Sequence, residues 1–167
     1  PIYAKVENGV LHLSGHDEWV EVYRSRNVEL NGKALTISFD VKPGKLSGTH
    51  EGAAYITKGN TQFGVVQKGS DKLQFYLHSG VKHTLDVDLP ANWMGNWHHV
   101  TASWDSKEMK LYIDGELKGT ETTAPQASNN NGRRGNQSGE RGVLSNFPYP
   151  INIGRFAGNH AQDPQTI

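Results

Sequence analysis

Apolar and polar residues alternate with a period of two along most of this chain. From Leu73 to His78 every second residue is apolar, and the segment from Leu35 to Lys42 alternates in the same way. Successive side chains of a β-strand point to opposite faces of the sheet, so each segment predicts a strand with one buried and one polar face. No window of a dozen residues holds apolar positions at helical spacing. The chain is therefore predicted to be all-β.

Short segments with the composition of strands recur along the sequence, and turn signals separate them. The predicted strands are Gly9 to Ser14, Trp19 to Tyr23, Leu35 to Lys42, Ala53 to Lys58, Gln62 to Gln67, Leu73 to His78, Lys82 to Asp88, Trp97 to Trp104, Met109 to Ile113, Glu116 to Thr122 and Ile151 to Gly154. The hairpin at Asp114-Gly115 is the clearest, because both residues accept the positive φ of a type I′ turn. Short strands at this spacing predict two antiparallel sheets packed as a jelly-roll sandwich.

Length and charge limit the classes of partner. The chain has 167 residues, enough for one sizeable core, and residues 1–167 are predicted to form one domain. Basic and acidic residues number 17 each and are interspersed, so no field would attract nucleic acid. No apolar run reaches the roughly 18 residues of a membrane span, so membrane insertion is not expected. Cysteine is absent, which excludes disulfides and thiolate metal sites.

One long segment lacks the residues needed to build a strand. Residues 125–142 read PQASNNNGRRGNQSGERG and contain no large apolar side chain. Without apolar burial, nothing offsets the conformational entropy lost when such a segment becomes ordered. A mobile loop is expected here. The alternative is a functional loop whose Asn and Arg side chains contact a ligand.

The segment from Trp97 to Gly119 reads WHHVTASWDSKEMKLYIDGELKG and resembles the central hairpin of laminin G-like domains, within the concanavalin A-like superfamily. In that family a Trp-His-x-Val strand runs through an Asp turn into a hairpin closed by Asp-Gly. Three further pieces occur in the family's order, so the resemblance extends from Gly9 to Arg155. They read LTISFDVKPG, AYITKGNTQFGVVQKGSDKLQFYLHSG and INIGR. The resemblance implies a concanavalin A-like sandwich in which Trp97 and the hairpin serve packing.

The same resemblance raises an expectation about the end of the fold. In relatives, the strand matching Ile151 to Gly154 leads through a loop to a last strand beside the N-terminal one. Here Arg155 to Ile167 reads as a loop, so the sandwich is expected to be a fragment without its last strand. An unpaired edge would favour self-association through edge strands. Many relatives hold a structural calcium with a ligand from that strand, so calcium is expected only in the intact module and no cofactor is required.

The sequence offers no catalytic constellation. Glucanases of this superfamily need two nearby carboxylates, often as Glu-x-Asp-x-x-Glu on one strand, and no such array occurs. Asp86 and Asp88 share one strand face but have no third carboxylate at the required spacing. His98 and His99 point to opposite faces of a strand, so they cannot bind one metal ion together. No metal site is predicted, and the domain is not expected to be an enzyme.

A binding module is the favoured function, because the resemblance and a polar sheet face agree with it. Sugars are bound by aromatic platforms and by planar amides, acids and arginine. Trp93, in the loop ANWMGNW, is the candidate aromatic residue that is most expected to be exposed. The full set of candidate carbohydrate-binding residues is Tyr55, Gln74, Tyr76, His78, Trp93 and Arg155.

The resemblance also suggests the protein to which such a domain belongs. A larger bacterial glycoside hydrolase of β-galactosidase type is the first expectation and a sialidase the second. The domain would then be secreted, periplasmic or on the cell surface, with a glycan and the catalytic domain of the parent chain as partners. A purely structural sandwich that packs against the catalytic domain is the alternative.

Overall fold

The computed structural model describes residues 4–14, 18–44, 52–123, 142–156 and 165–166. Every predicted strand is present in these ranges, with ends that differ by no more than two residues. The strands are β1 (Lys5–Glu7), β2 (Val10–His12), β3 (Val20–Val22), β4 (Leu35–Val41), β5 (Gly52–Lys58), β6 (Phe63–Lys68), β7 (Lys72–His78), β8 (Lys82–Asp88), β9 (His98–Trp104), β10 (Glu108–Ile113), β11 (Glu116–Thr122), β12 (Ile151–Ile153), β13 (Arg155–Phe156) and β14 (Gln165–Thr166). A single 3-10 turn in the described ranges spans Arg26–Val28.

Three of these strands were not predicted. β1 pairs with β2 as a hairpin through Asn8-Gly9, and β13 pairs with β14. The prediction that the chain after Gly154 is a loop is therefore wrong at Arg155–Phe156 and Gln165–Thr166. Strands of two or three residues are too short to show an alternating pattern, and only the pairing defines them.

Two large antiparallel sheets form the fold. The four-stranded sheet has the order β11-β10-β9-β4, and the six-stranded sheet has the order β3-β12-β5-β6-β7-β8. Every pairing within them is antiparallel. The predicted all-β antiparallel sandwich is confirmed.

The core lies between the inner faces of the two sheets, as the alternation predicts. Leu73, Phe75 and Leu77 of β7 are completely buried in it, and Val100 and Ala102 come from β9 of the other sheet. Burying a side chain of this size stabilises the fold by about 1.5–3 kcal/mol. The remaining large members of this core are Leu35, Ile37, Tyr55, Phe63, Val65, Leu85, Val87, Trp93, Trp104, Met109, Leu111, Ile113 and Leu144.

The sheets approach closely where β11 crosses β8, and a glycine makes this possible. A Cβ placed on Gly119 would lie 2.8 Å from Cγ1 of Val87 and 3.2 Å from Cδ1 of Leu85. Any larger residue at position 119 would push β11 away from β8. The glycine therefore determines the spacing of the two sheets at this edge of the sandwich.

The hairpin between β10 and β11 forms at the predicted turn. Asp114 and Gly115 have φ values of 54° and 79°, as a type I′ turn requires. Ile113 pairs with Glu116 directly across this turn. The strongest local signal in the sequence thus sets the register of the two strands.

The outer face of β7 differs from the prediction of a wet, polar surface. Tyr76 is 1% exposed and Gln74 is 9% exposed, so this face is covered at both residues. The Tyr76 ring packs against Gly64, whose lack of a side chain leaves room for it, and its hydroxyl donates to the Gly59 carbonyl at 2.6 Å. The outer face of β4 does match the prediction, since Thr36, Ser38 and Asp40 are exposed.

Two further expectations are not tested by the residues that the structure describes. The mobile loop predicted at 125–142 lies outside the described residues apart from Gly142. The absent last strand and self-association through an edge strand stay predictions.

Candidate functional site

Two of the six predicted binding residues, Tyr55 and Trp93, belong to the core. The carboxamide oxygen of Gln67 accepts a hydrogen bond from the Tyr55 hydroxyl at 2.7 Å and another from the Trp93 indole nitrogen at 3.0 Å. Burial raises the pKa of Tyr55. Trp93 is 2% exposed and its ring stacks on His98, so the prediction that it is an exposed aromatic residue is wrong. The loop around it is polar, but the indole points inward.

Three more predicted residues follow one another on the outer face of β7. The Gln74 side-chain amide donates to Asp86 at 2.6 Å. Tyr76 is covered as described above. His78 lies 2.7 Å from the Ser145 hydroxyl, and its ring meets Phe147 edge-on. Burial lowers the pKa of His78. These side chains are engaged within the fold, and glycan binding by them stays a prediction.

Arg155, the sixth predicted residue, lies at the start of β13. Its guanidinium sits 4.2 Å from the centre of the Trp19 ring, a cation–π contact. Its backbone carbonyl accepts a hydrogen bond from the Thr57 hydroxyl at 2.9 Å. The structure therefore does not bring the six residues together into one site.

A different surface combines an exposed aromatic ring with polar groups, on the outer face of β4 and β9. Trp97, one residue before β9, is 54% exposed. His99 and Thr101 follow at alternate positions, and they pair across the sheet with Asp40 and Ser38 of β4. Tyr112 of β10 pairs with Thr101 on the other side and is partly exposed. We call the set Trp97, His99, Thr101, Ser38 and Asp40 the ladder face.

Hydrogen bonds connect the polar members of the ladder face. His99 Nδ1 lies 2.7 Å from Asp40 Oδ1, and His99 Nε2 lies 3.0 Å from Ser38 Oγ. Thr101 Oγ1 is 3.1 Å from Ser38 Oγ and 3.3 Å from His99 Nε2. The side chains of His99 and Asp40 are 51% and 72% exposed. The network is thus open to a ligand from solvent.

The order carboxylate, imidazole and hydroxyl is also the order that activates a serine nucleophile. Catalysis at such a group further needs donors aimed at the developing oxyanion in a site from which water is excluded. The exposure of Asp40 and His99 places this network in water. Its arrangement suits hydrogen bonding to a ligand better than acyl transfer.

A cleft of about 1030 Å³ adjoins the ladder face. Trp97, His99 and Asp40 line it, together with β2 and its two flanking residues, Gly9 and Leu13. Most of its lining residues are apolar, and Asp40, Lys42 and Asp114 add charged groups. The other lining residues are Phe39, Val41, Pro43, Gly44, Tyr55, Ile56, His98 and Ile153.

The His98 imidazole fixes the inner wall of the cleft. It is buried against Trp93, and its Nδ1 lies 2.7 Å from Asp114 Oδ2. The other Asp114 oxygen accepts the backbone N–H of His99 at 2.9 Å. Two hydrogen bonds lower the pKa of Asp114. The larger effect comes from the His98 ring and the smaller from the His99 backbone. The prediction that His98 and His99 point to opposite faces is confirmed, since one is buried and the other exposed.

Sequence reasoning missed the ladder face, although part of its signal was visible. The polar residues Ser38 and Asp40 alternate with apolar ones in the predicted strand. The pairing of that strand with β9, which places them beside His99 and Thr101, is not encoded locally. The resemblance assigns Trp97 to packing as a marker of the fold, whereas the structure leaves it 54% exposed.

Neither a metal site nor a membrane span is found in the described ranges. No three acidic or histidine side chains converge there as ligands for an ion. Structural calcium stays a prediction. No helix in those ranges has the length and apolar character to cross a membrane.

The two packed antiparallel sheets define an all-β sandwich domain. The family model described as "Concanavalin A-like lectin/glucanases superfamily", a laminin G model, matches residues 14–147. The chain belongs to this family. A search of curated proteins finds no significant match.

Solved structures with the same fold come from diverse proteins. The binding domain of Paraclostridial Mosquitocidal Protein 1 has a TM-score of 0.59 at 13% identity, covering 83% of this chain and 33% of that one. Domains LG4-5 of the mouse laminin alpha1 chain have a TM-score of 0.53 at 13% identity, covering 83% and 32%. The CBM40 of Ruminococcus gnavus IT-sialidase, bound to alpha2,3 sialyllactose, has a TM-score of 0.53 at 19% identity, covering 84% and 74%. This chain thus spans about a third of the first two structures.

Proposed function

We propose that this chain is a carbohydrate-binding module that holds a glycan on the ladder face. The observation that carries the proposal is an indole, Trp97, exposed beside a row of hydrogen-bonding side chains. Aromatic rings stack on the C–H faces of sugars, while carboxylates, imidazoles and hydroxyls bind the sugar hydroxyl groups. The ladder face offers both kinds of group on adjacent strands, and a sheet positions them rigidly.

The surroundings of the ladder face agree with this role. The adjoining cleft provides concave space beside Trp97, and Tyr112 adds a second aromatic ring beyond Thr101. Trp97 and Thr101 are four residues apart, about 13 Å along an extended strand. The surface is therefore long enough for an oligosaccharide to contact both ends.

The comparisons are consistent with a binding role. One structural neighbour is a sialidase's carbohydrate-binding module with bound alpha2,3 sialyllactose, and another is the binding domain of a mosquitocidal protein. Both are less than 25% identical to this chain, so their likeness shows the fold. The binding role is consistent with that fold and is part of the proposal.

The parent protein is the finer part of the proposal. The resemblance described above favours a bacterial glycoside hydrolase of β-galactosidase type, secreted, periplasmic or on the cell surface. In that setting the module would hold the glycan near a separate catalytic domain. Its contribution would be a higher local substrate concentration for that domain.

The test is retention of the chain on a glycan array, followed by calorimetric titration of the glycans retained. Trp97→Ala is expected to weaken binding about 10- to 100-fold, because it removes the stacking platform. Trp19→Ala is the matched control, since it removes another partly exposed indole that already stacks on Arg155. Equal losses in both variants, or full binding by Trp97→Ala, would contradict the proposed site.

A structural role is the second candidate, and one surface favours it. Val22 and Tyr23 at the end of β3 are 37% and 79% exposed. β3 is an edge strand of the six-stranded sheet in the described part of the chain. A domain that only packs against a catalytic partner would bury this edge and bind no glycan, so an array without any retained glycan would favour it.

A further inference from the structure

The hydrogen bonds of the ladder face all run in one direction. The ionised carboxylate of Asp40 only accepts, so His99 Nδ1 must carry the hydrogen between them. In the neutral imidazole Nε2 is then an acceptor, and the nearer hydroxyl, that of Ser38 at 3.0 Å, donates to it. The Thr101 hydroxyl, 3.1 Å from Ser38 Oγ, donates to Ser38 in turn. The chain runs from Thr101 through Ser38 and His99 to Asp40.

This direction decides what the surface still offers to a ligand. Each donor of the four side chains is used within the chain, whereas lone pairs of Thr101 and Ser38 remain available. The second carboxylate oxygen of Asp40 has no partner among the described residues and is exposed. Toward a ligand, these four side chains can therefore only accept hydrogen bonds.

We infer that the ladder face is specific for uncharged glycans and discriminates against sialylated, uronic or sulfated ones. This inference rests on the proposed function. Sugar hydroxyls can donate to Asp40 and Thr101, whereas an anionic group only accepts and cannot pair with these acceptors. The carboxylates of Asp40 and Asp114 both line the cleft and repel an anion.

Among the described residues that line the cleft, one lysine opposes this preference. Lys42 lines the same cleft and is exposed. Its ammonium group is flexible and hydrated, and its single positive charge is outnumbered by the two carboxylates. It is also not a member of the hydrogen-bonded chain. The structure therefore favours rejection of anions by the ladder face, with Lys42 as a partial counterweight.

The experiment uses an array of matched glycans, each present in a neutral, a sialylated and a sulfated form. The neutral glycan retained most strongly and its charged derivatives are then titrated calorimetrically at about pH 8, above the usual pKa of histidine. The neutral form is expected to bind about 10- to 100-fold more tightly than the charged forms.

Asp40→Asn tests the cause of the preference. The asparagine oxygen still accepts from His99, but its amide nitrogen now donates outward. The ratio of neutral to charged affinity is expected to fall about tenfold or more in this variant. Asp88→Asn removes the same charge from an exposed position on the other sheet and is expected to leave the ratio unchanged.

The outcomes separate the inference from the function on which it rests. Glycan binding with charged forms retained as tightly as neutral ones would overturn the inference and leave the proposed function standing. An equal change of the ratio in Asp40→Asn and Asp88→Asn would also overturn it, because net charge would then be the cause. Retention of no glycan would overturn both.

Discussion

A single buried amide, Gln67, satisfies two of the large polar aromatic residues of the core, Tyr55 and Trp93. Its oxygen accepts from Tyr55 and Trp93, and its nitrogen donates to the Gly69 carbonyl at 3.1 Å. Buried donors without partners are costly, so the three side chains form one unit. This unit explains why two aromatic residues that look suitable for sugar stacking face inward.

Replacing Gln67 with Leu should destabilise the fold by about 2–4 kcal/mol, because two buried donors lose their acceptor together. Tyr55→Phe should cost about 1 kcal/mol, since it removes one donor and leaves the other bond intact. Urea denaturation of both single variants and the double variant measures these costs. Strict additivity of the two costs would show that the groups do not act as a unit.

At the scale of elements, the β10–β11 hairpin connects the fold to the inner wall of the cleft. Asp114 both closes the turn, with a φ of 54°, and accepts hydrogen bonds from the His98 ring and the His99 backbone. The turn therefore holds β9 in place as well as joining its own two strands.

Asp114→Ala should lower the free energy of unfolding by about 2–3 kcal/mol. Alanine is strained at positive φ, and the substitution leaves a nitrogen of the buried His98 ring without its partner. Asp114→Asn is the matched control, because asparagine tolerates this φ and still accepts a hydrogen bond, so it should cost less than about 1 kcal/mol. Similar losses in the two variants, by thermal denaturation at neutral pH, would refute this role.

At the scale of the whole molecule, basic and acidic residues are balanced. The formal net charge is zero, so general charge repulsion contributes little to stability near neutral pH. Individual groups then dominate the pH dependence. Burial lowers the pKa of His78. Burial also lowers the pKa of His83, and the charge of His78 lowers it further by a smaller amount.

The folded state should therefore lose stability as the pH falls below about 6.5, the usual pKa of histidine. With lowered pKa values, the folded state takes up these protons less readily than the unfolded state, so acid favours unfolding. Urea midpoints from about pH 7 to about pH 5 should fall. The His78→Gln/His83→Gln double variant should show a smaller fall, and an unchanged slope would rule out these two residues as its source.

Most of the fold could be predicted from the sequence because its strands carry their own signal. The alternation in Leu73 to His78 correctly separates the core residues Leu73, Phe75 and Leu77 from the opposite face. The Asp114-Gly115 turn was equally readable, because few residues accept its dihedral angles. Neither signal depends on distant parts of the chain.

The candidate site was much less predictable, because exposure and partners are properties of the packed molecule. Trp93 and Trp97 lie four residues apart in one polar loop, yet the first is buried on Gln67 and His98 and the second is exposed. Tyr76 lies on the face of its strand that alternation predicts to be exposed, yet it is buried. No local pattern distinguishes these cases.

The sequence by itself determined the all-β class, the strands other than β1, β13 and β14, the main hairpin and the inward faces of strands such as β4, β7 and β9, because alternation and turn chemistry are local. Only the tertiary structure decided which strands are neighbours. The pairing of β4 with β9 brings Ser38 and Asp40 to His99 and Thr101, some 60 residues further along the chain. Such non-local pairing depends on how two whole sheets bury their apolar faces together, and a side chain's exposure follows from that packing.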